Sequence, residues 1–250
     1  MLTKDRAICL RVADYSETSQ VVTLFARLSG KVRAIAKGSK RPKSAFDGPV
    51  EVLSLGEIVF SSSHKDRLVT LTEFSQQPGS GGLRRNLFAL HCALFAAQLL
   101  DVMTDELDPH LVLFDQFSQF IQDMDRQDAT SERHSVAARL ILLQLVVLRE
   151  VGLYPVFKSC ANCKRSFSPD WRDCYFSSSA NGLICRDCEM SYPDKVRLHV
   201  RAAACLADWK QLAQADERTV REVEGVLTHH FTEILGRRLK TADYVQRGLT

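Results

Sequence analysis

Val21-Val22-Thr23-Leu24-Phe25-Ala26-Arg27-Leu28-Ser29-Gly30-Lys31-Val32-Arg33-Ala34-Ile35-Ala36 holds two short apolar runs around a Ser-Gly turn. The first run is β-branched and the second partly alternates, a composition that suits a pleated, half-buried surface. Upstream, Arg6-Ala7-Ile8-Cys9-Leu10-Arg11-Val12 also partly alternates. Downstream come Val50-Glu51-Val52-Leu53, Glu57-Ile58-Val59-Phe60 and Leu68-Val69-Thr70-Leu71, punctuated at Gly48-Pro49 and across Ser61–Asp66. Five or six short strands with no helix-length periodic segment predict a small barrel over residues 1–80. A five-stranded oligonucleotide-binding (OB) barrel fits that length.

Gln77-Pro78-Gly79-Ser80-Gly81-Gly82 reads as a linker, and the period becomes helical after it. The sequence predicts a helix over Leu83–Asp101, a second opening near Pro109 and running towards Met124, and a third over Ser135–Val151 that stops at Gly152. Asp123–Glu132 reads as a solvated loop. Lys195–Leu212 and Asp216–Leu239 read as helices, with Thr219-Val220-Arg221-Glu222 as a capping box. The expected class is α+β multidomain: a barrel over 1–80, an all-α helical domain in two parts over 81–159 and 191–250, and an inserted four-cysteine knuckle over 160–190.

That knuckle is defined by Cys160-Ala-Asn-Cys163 and Cys185-Arg-Asp-Cys188. A two-residue gap forms a tight turn with both sulfurs on one side, and two such turns close a tetrahedron around a metal that takes sulfur at about 2.3 Å. The segment between them is rich in Ser, Pro and Gly, too little core to hold itself without a staple. Disulfides, a redox pair and chance pairing of buried thiols are the rival readings. Structural Zn2+ on Cys160, Cys163, Cys185 and Cys188 is preferred, since four thiolates leave no open position for catalysis. Cys174 is a spare inside the knuckle, and Cys9, Cys92 and Cys205 read as small core residues.

At 250 residues, with 45% hydrophobic and 25% charged residues, the composition is that of a soluble globular protein. The most apolar stretch, Leu140–Leu148, is far short of the ~20 residues that span a bilayer. The N-terminus lacks an apolar signal region, so a cytoplasmic location with reduced thiols is expected. The net charge of +3 is uneven: residues 1–80 carry 12 Lys and Arg against 8 acids. Arg27, Lys31, Arg33, Lys37, Lys40, Arg41 and Lys43 fall together with no acid between them, and the Gly, Ser and Pro around the last four make an exposed loop. On a barrel such a stripe reads as a nucleic-acid contact driven by counterion release; a lysine-protected edge strand is the plain alternative. Phe25, Phe46, Phe60 and Phe74 read as barrel filling rather than stacking platforms. The chain has no phosphate-binding loop, no His-Glu-x-x-His and no Gly-x-Ser-x-Gly elbow, so no catalytic residue is assigned. A zinc-containing nucleic-acid-processing enzyme or scaffold is the alternative reading.

Three further stretches carry a family resemblance. Asp14-Tyr15-Ser16-Glu17-Thr18-Ser19-Gln20-Val21-Val22-Thr23-Leu24-Phe25 with Gly30–Gly38, Gly152-Leu153-Tyr154-Pro155 leading into the first cysteine pair, and Leu235-Gly236-Arg237-Arg238-Leu239-Lys240-Thr241 together resemble the bacterial recombination mediator RecO family. Lys164 departs from it, because the family often has glycine after the second cysteine. The resemblance implies an OB barrel, a helical domain and a zinc module in a non-catalytic repair protein of the bacterial cytoplasm and nucleoid. It also implies binding of single- and double-stranded DNA, annealing of complementary strands, and action with RecR to load RecA onto strands coated by single-stranded DNA-binding protein (SSB). The acidic C-terminal tail of SSB is an implied partner; no membrane and no small-molecule substrate is.

Overall fold

The computed structural model describes residues 2–42, 44–46, 48–61, 68–77, 79, 81–128 and 130–249. They form two compact units, Met1–Asp128 and Ala129–Thr250. Lys43, Pro78, Ser80 and most of the turn read at Ser61–Asp66 lie outside the described residues.

In the first unit β1 (Leu2–Asp14), β2 (Gln20–Ala26), β3 (Gly30–Ala36), β4 (Leu55–Ser61) and β5 (Val69–Gln76) close a barrel in the order β1-β2-β3-β5-β4. Neighbours are antiparallel except β3 and β5, which run parallel with Ala34 opposite Val69 and Ala36 opposite Leu71. β1 is long enough to pair with β4 through its first half and with β2 through its second. A register shift between Cys9 and Arg11 bends it from one partner towards the other. Ala7, Cys9, Val22, Leu24, Val32, Ala34, Ile58, Phe60, Leu71 and Phe74 fill the interior, as strand alternation requires. Val50–Leu53, read as a strand, is not one. Leu53 has φ 71°, and Gln20 holds Val50 by accepting from its N–H and donating to its carbonyl.

The outer barrel row of Ile8, Phe25 and Lys31 is buried as well, beneath α1 (Leu87–Met103) and α2 (Leu111–Asp125). Phe25 meets Phe114 of α2 at 6.1 Å between ring centroids. α1 starts later than its periodicity suggests, because the Asn86 side chain accepts from Ala89 N–H and caps it. Pro109, expected in the first turn of α2, lies just before it, and His110 is the N-cap. Gly30 (φ 70°) lies against the Asp108 backbone, where a Cβ would sit 2.3 Å from the carbonyl oxygen, so only glycine permits this approach.

The second unit contains α3 (Arg133–Glu150), a three-stranded sheet of β6 (Cys174–Ser177), β7 (Gly182–Cys185) and β8 (Val196–Leu198), and then α4 (Val200–Ala207), α5 (Glu217–Leu235) and α6 (Lys240–Gly248). The sheet order is β7-β6-β8. α3 is the buried central helix that its composition predicts. It ends in a Schellman motif, with Gly152 at φ 75° donating to Arg149 O and Leu153 donating to Leu148 O. Lys195–Leu212 is not one helix. Val196–Leu198 is drawn into the sheet against Cys174–Phe176, and a 3-10 helix over Trp209–Gln214 follows α4. α5 is capped by Asp216, which accepts from Thr219 N–H, so Thr219 is capped rather than capping.

Candidate nucleic-acid interface and metal centre

The basic residues that the sequence groups into one stripe divide into two sets. Arg27 is turned onto α2, where its guanidinium donates twice to the Asp115 carboxylate, both at 2.9 Å. Hydrogen bonding to Arg27 holds the Asp115 carboxyl below its ordinary range. Lys31 is 9% exposed, and its Nζ donates to the carbonyls of Asp101 and Thr104 at 2.5 Å. These belong to the last turn of α1 and its cap, where backbone carbonyls lack helical partners and the dipole favours a cation. Two members of the stripe therefore fasten helices to the barrel, Lys31 from a buried position and Arg27 from a half-buried one. Arg33 stays exposed, with Glu106 at 3.7 Å.

The other set sits on the loop after β3, which is clamped from beneath. Gly38 N–H donates to Ser19 Oγ, Lys40 N–H to Thr18 O, and the fully buried Ser39 hydroxyl to Gln20 Oε1. Lys40 pairs with Asp14 at 2.5 Å. Lys37 and Arg41 are exposed and have no acidic partner among the described residues. A held backbone with two unneutralised cations presents positive charge at little ordering cost. Lys43 belongs to the same run but lies outside the described residues.

Two residues near this loop escape a reading by charge run alone. The barrel register sets Arg11 opposite Thr23, and Thr23 opposite Arg33, so both arginines share a cross-strand row. Tyr15, in the connection that clamps the loop, is 65% exposed. An exposed ring in the connection that holds the basic loop is the signal that marks it. The phenylalanines weighed as stacking platforms are all buried, from Phe25 and Phe74 at 0% to Phe46 at 7% exposure.

In the second unit the β6–β7 hairpin sets Cys174 opposite Cys185, and the backbone before the hairpin folds back on it. Ala161 N–H donates to Leu183 O, and Val156 exchanges hydrogen bonds with Asn181 and Leu183. Gly182 allows this return, because a Cβ there would meet Val156 O at 2.5 Å. The result brings the Sγ atoms of Cys160, Cys163, Cys185 and Cys188 within 4.8 Å of one another. Cys163 and Cys185 are 3.8 Å apart, matching the edge of about 3.8 Å that a tetrahedron with ~2.3 Å metal–sulfur bonds has. Burial pushes the Cys160 thiol up, but backbone N–H groups of Cys185, Cys163 and Asn162 outweigh it and bring it down to about 7. Four sulfurs so close cannot all ionise without a cation between them, so the donor set fits a thiolate-bound metal ion. Cys174 lies outside the set, with burial pushing its thiol up to about 12. Among the described residues no helix is long and apolar enough to cross a membrane.

The comparisons with known proteins agree with this geometry. The family models "Recombination protein O N terminal" and "Recombination protein O C terminal" match residues 1–76 and 84–243. A protein of Rhodopirellula baltica named DNA repair protein RecO is 34% identical over 74% of this chain and 66% of its own length. Proteins of the same name are 28% identical in Bacillus pumilus, over 99% of this chain and 94% of theirs, and 30% identical in Anaeromyxobacter sp., over 93% and 91%. A closed five-stranded barrel with a helical domain and a four-cysteine cluster, matched along nearly its whole length by both models, belongs to the RecO family of DNA repair proteins.

Proposed function

We propose that this chain is a non-catalytic recombination mediator of the bacterial cytoplasm and nucleoid. It binds single- and double-stranded DNA, anneals complementary strands, and with RecR helps load RecA onto SSB-coated single strands. The clamped loop bearing unpaired Lys37 and Arg41, held by the connection that carries exposed Tyr15, supports the reading. Two polyanions repel as they approach, and cations held on a rigid loop lower that barrier while releasing counterions. Tyr15 adds a flat surface on which an unpaired base can stack. Arg33 and Lys40 flank the contact and Lys43 continues the same basic run in the sequence, whereas Arg27 and Lys31 hold the scaffold that presents it. Cys160, Cys163, Cys185 and Cys188 hold Zn2+ as structural support; the ion fixes the knuckle and takes no part in strand contact. The acidic C-terminal tail of SSB is a further partner, met through the helical domain.

The test is annealing of complementary oligonucleotides pre-coated with SSB, run across a salt series. Wild-type protein is expected to accelerate annealing steeply less as salt rises, and Lys37→Glu with Arg41→Glu to abolish the acceleration. Acceleration that survives both substitutions would overturn the loop assignment. Strand cleavage in magnesium or manganese would favour a processing enzyme instead.

A further inference from the structure

The second unit contains a basic cleft that the RecO assignment does not use. It has a volume of about 530 Å³ and is lined by Arg172, Arg197, Arg218 and Arg221, with His199 and Glu222. That volume lies within the ~300–1,000 Å³ usual for ligand clefts, yet the lining is cationic rather than apolar. Arg172 and Arg218 are exposed and have no ion-pair partner among the described residues. Arg197 donates to Asp173 at 2.7 Å and Arg221 to the Leu249 carbonyl at 3.1 Å. These bonds steady two guanidinium groups while leaving other N–H donors on each.

The single acid in the lining, Glu222, accepts from the His199 backbone N–H at 2.6 Å and offsets only one of the four positive charges. Asp216, the carboxylate whose field reaches Arg218, is occupied in capping α5. Four guanidinium groups thus face one carboxylate across an open cleft. The rigid arginine fork matches two phosphate oxygens at once, which a point charge does not. Apolar lining is confined to the buried Leu198 and to Val200, so nothing there receives the side chains of a peptide.

We propose that this cleft binds phosphate groups of a nucleic-acid strand, as a second strand-holding site in addition to the Lys37–Arg41 loop. The choice of nucleic acid rests on the DNA-binding reading above. The test uses the full-length, zinc-loaded protein and a fluorescent single-stranded oligonucleotide. Arg172→Ala with Arg218→Ala removes two side chains that carry no ion pair, so the fold is expected to persist; the Lys versions retain charge and serve as the control. The Ala protein is expected to lose about 3–10-fold in affinity, with the slope of log K against log salt shallower by about 1–2. Annealing of two complementary strands is expected to suffer more than single-strand binding. If affinity, slope and annealing are unchanged while Lys37→Glu with Arg41→Glu loses binding, the cleft proposal fails and the DNA reading stands. If both variant proteins bind and anneal as wild type does, both readings fall. Loss of binding to an Asp-rich peptide or to pyrophosphate, with oligonucleotide binding intact, overturns the proposal in favour of that ligand.

Discussion

Lys164 holds its backbone at φ 63°, a left-handed conformation that costs an L-residue about 1–2 kcal/mol. The conformation lets its N–H reach Cys160 O and close the turn carrying the first two thiols. Its Nζ returns to Ala161 O at 2.7 Å, an exposed bond that recovers little of the cost. Lys164→Gly is therefore expected to raise stability by about 1 kcal/mol with metal content unchanged, read from the denaturant midpoint. A midpoint that stays put or falls would show that the lysine contact matters more than the strain. A second residue-scale case is Glu224 on α5, fully buried and accepting from Thr228 Oγ1 at 2.7 Å and from Gln246 Nε2. Burial pushes its carboxyl up to about 7, against lowering by the Thr228 hydrogen bond. The unfolded chain ionises Glu224 near 4.5, so its contribution to stability falls as pH rises from about 4.5 to about 7 and stays low above. His230 works in the opposite sense. Burial lowers it from 6.5 to about 4, so its contribution is lost as pH falls through that window. Glu224→Gln is expected to add on the order of 2 kcal/mol at pH 8. It should also leave stability that only climbs between pH 4 and 6.5, measured by urea unfolding at a series of pH values. A pH profile identical to wild type would refute the assignment.

At the scale of elements, β3 and α1 are tied through one side chain. Lys31 satisfies two carbonyls of the α1 end from a strand 70 and 73 residues away. Lys31→Met is expected to cost about 1–3 kcal/mol, because it leaves those carbonyls buried without a donor. Affinity for oligonucleotide should stay within about twofold, which a stripe-wide DNA contact would not allow. The case shows what charge in a sequence conveys. The run from Arg27 to Lys43 was legible as basic, but the acids and carbonyls that claim Arg27 and Lys31 lie on helices far along the chain. The barrel strands were legible from alternation and from Ser29-Gly30, and α3 from its apolar run ending at Gly152. The parallel pairing of β3 with β5 was not, because no local signal specifies a partner across a crossover. β6, β7 and β8 were missed for a different reason. Strands of three or four residues carry no usable period, and they form because the cysteine pairs and each other's edges hold them. The four thiols themselves were plain from their spacing, whereas Tyr15 gained meaning only once its connection was seen to clamp the basic loop.

For the whole molecule, the four cysteines and the barrel loop fall in different compact units. The cysteines lie in Ala129–Thr250 and the Lys37–Arg41 loop in Met1–Asp128. Removal of metal by a chelator, or Cys160→Ser with Cys185→Ser, is expected to abolish stoichiometric zinc and lower the melting temperature markedly. Single-strand affinity contributed by the barrel loop should persist at temperatures where the chain remains folded; its complete loss there would make the ion part of the contact. The barrel brings a further consequence through β1, which needs β2 on one flank and β4 on the other. During synthesis the first hairpin is complete once residue 26 has emerged, but the outer flank of β1 has no partner until residue 61 follows. At ordinary elongation rates that interval is roughly 2–7 s. For those seconds every nascent chain displays an unpaired strand edge to its neighbours on the same message. Crowded polysomes are thus the setting in which this protein is most exposed to misassembly, before any DNA is met.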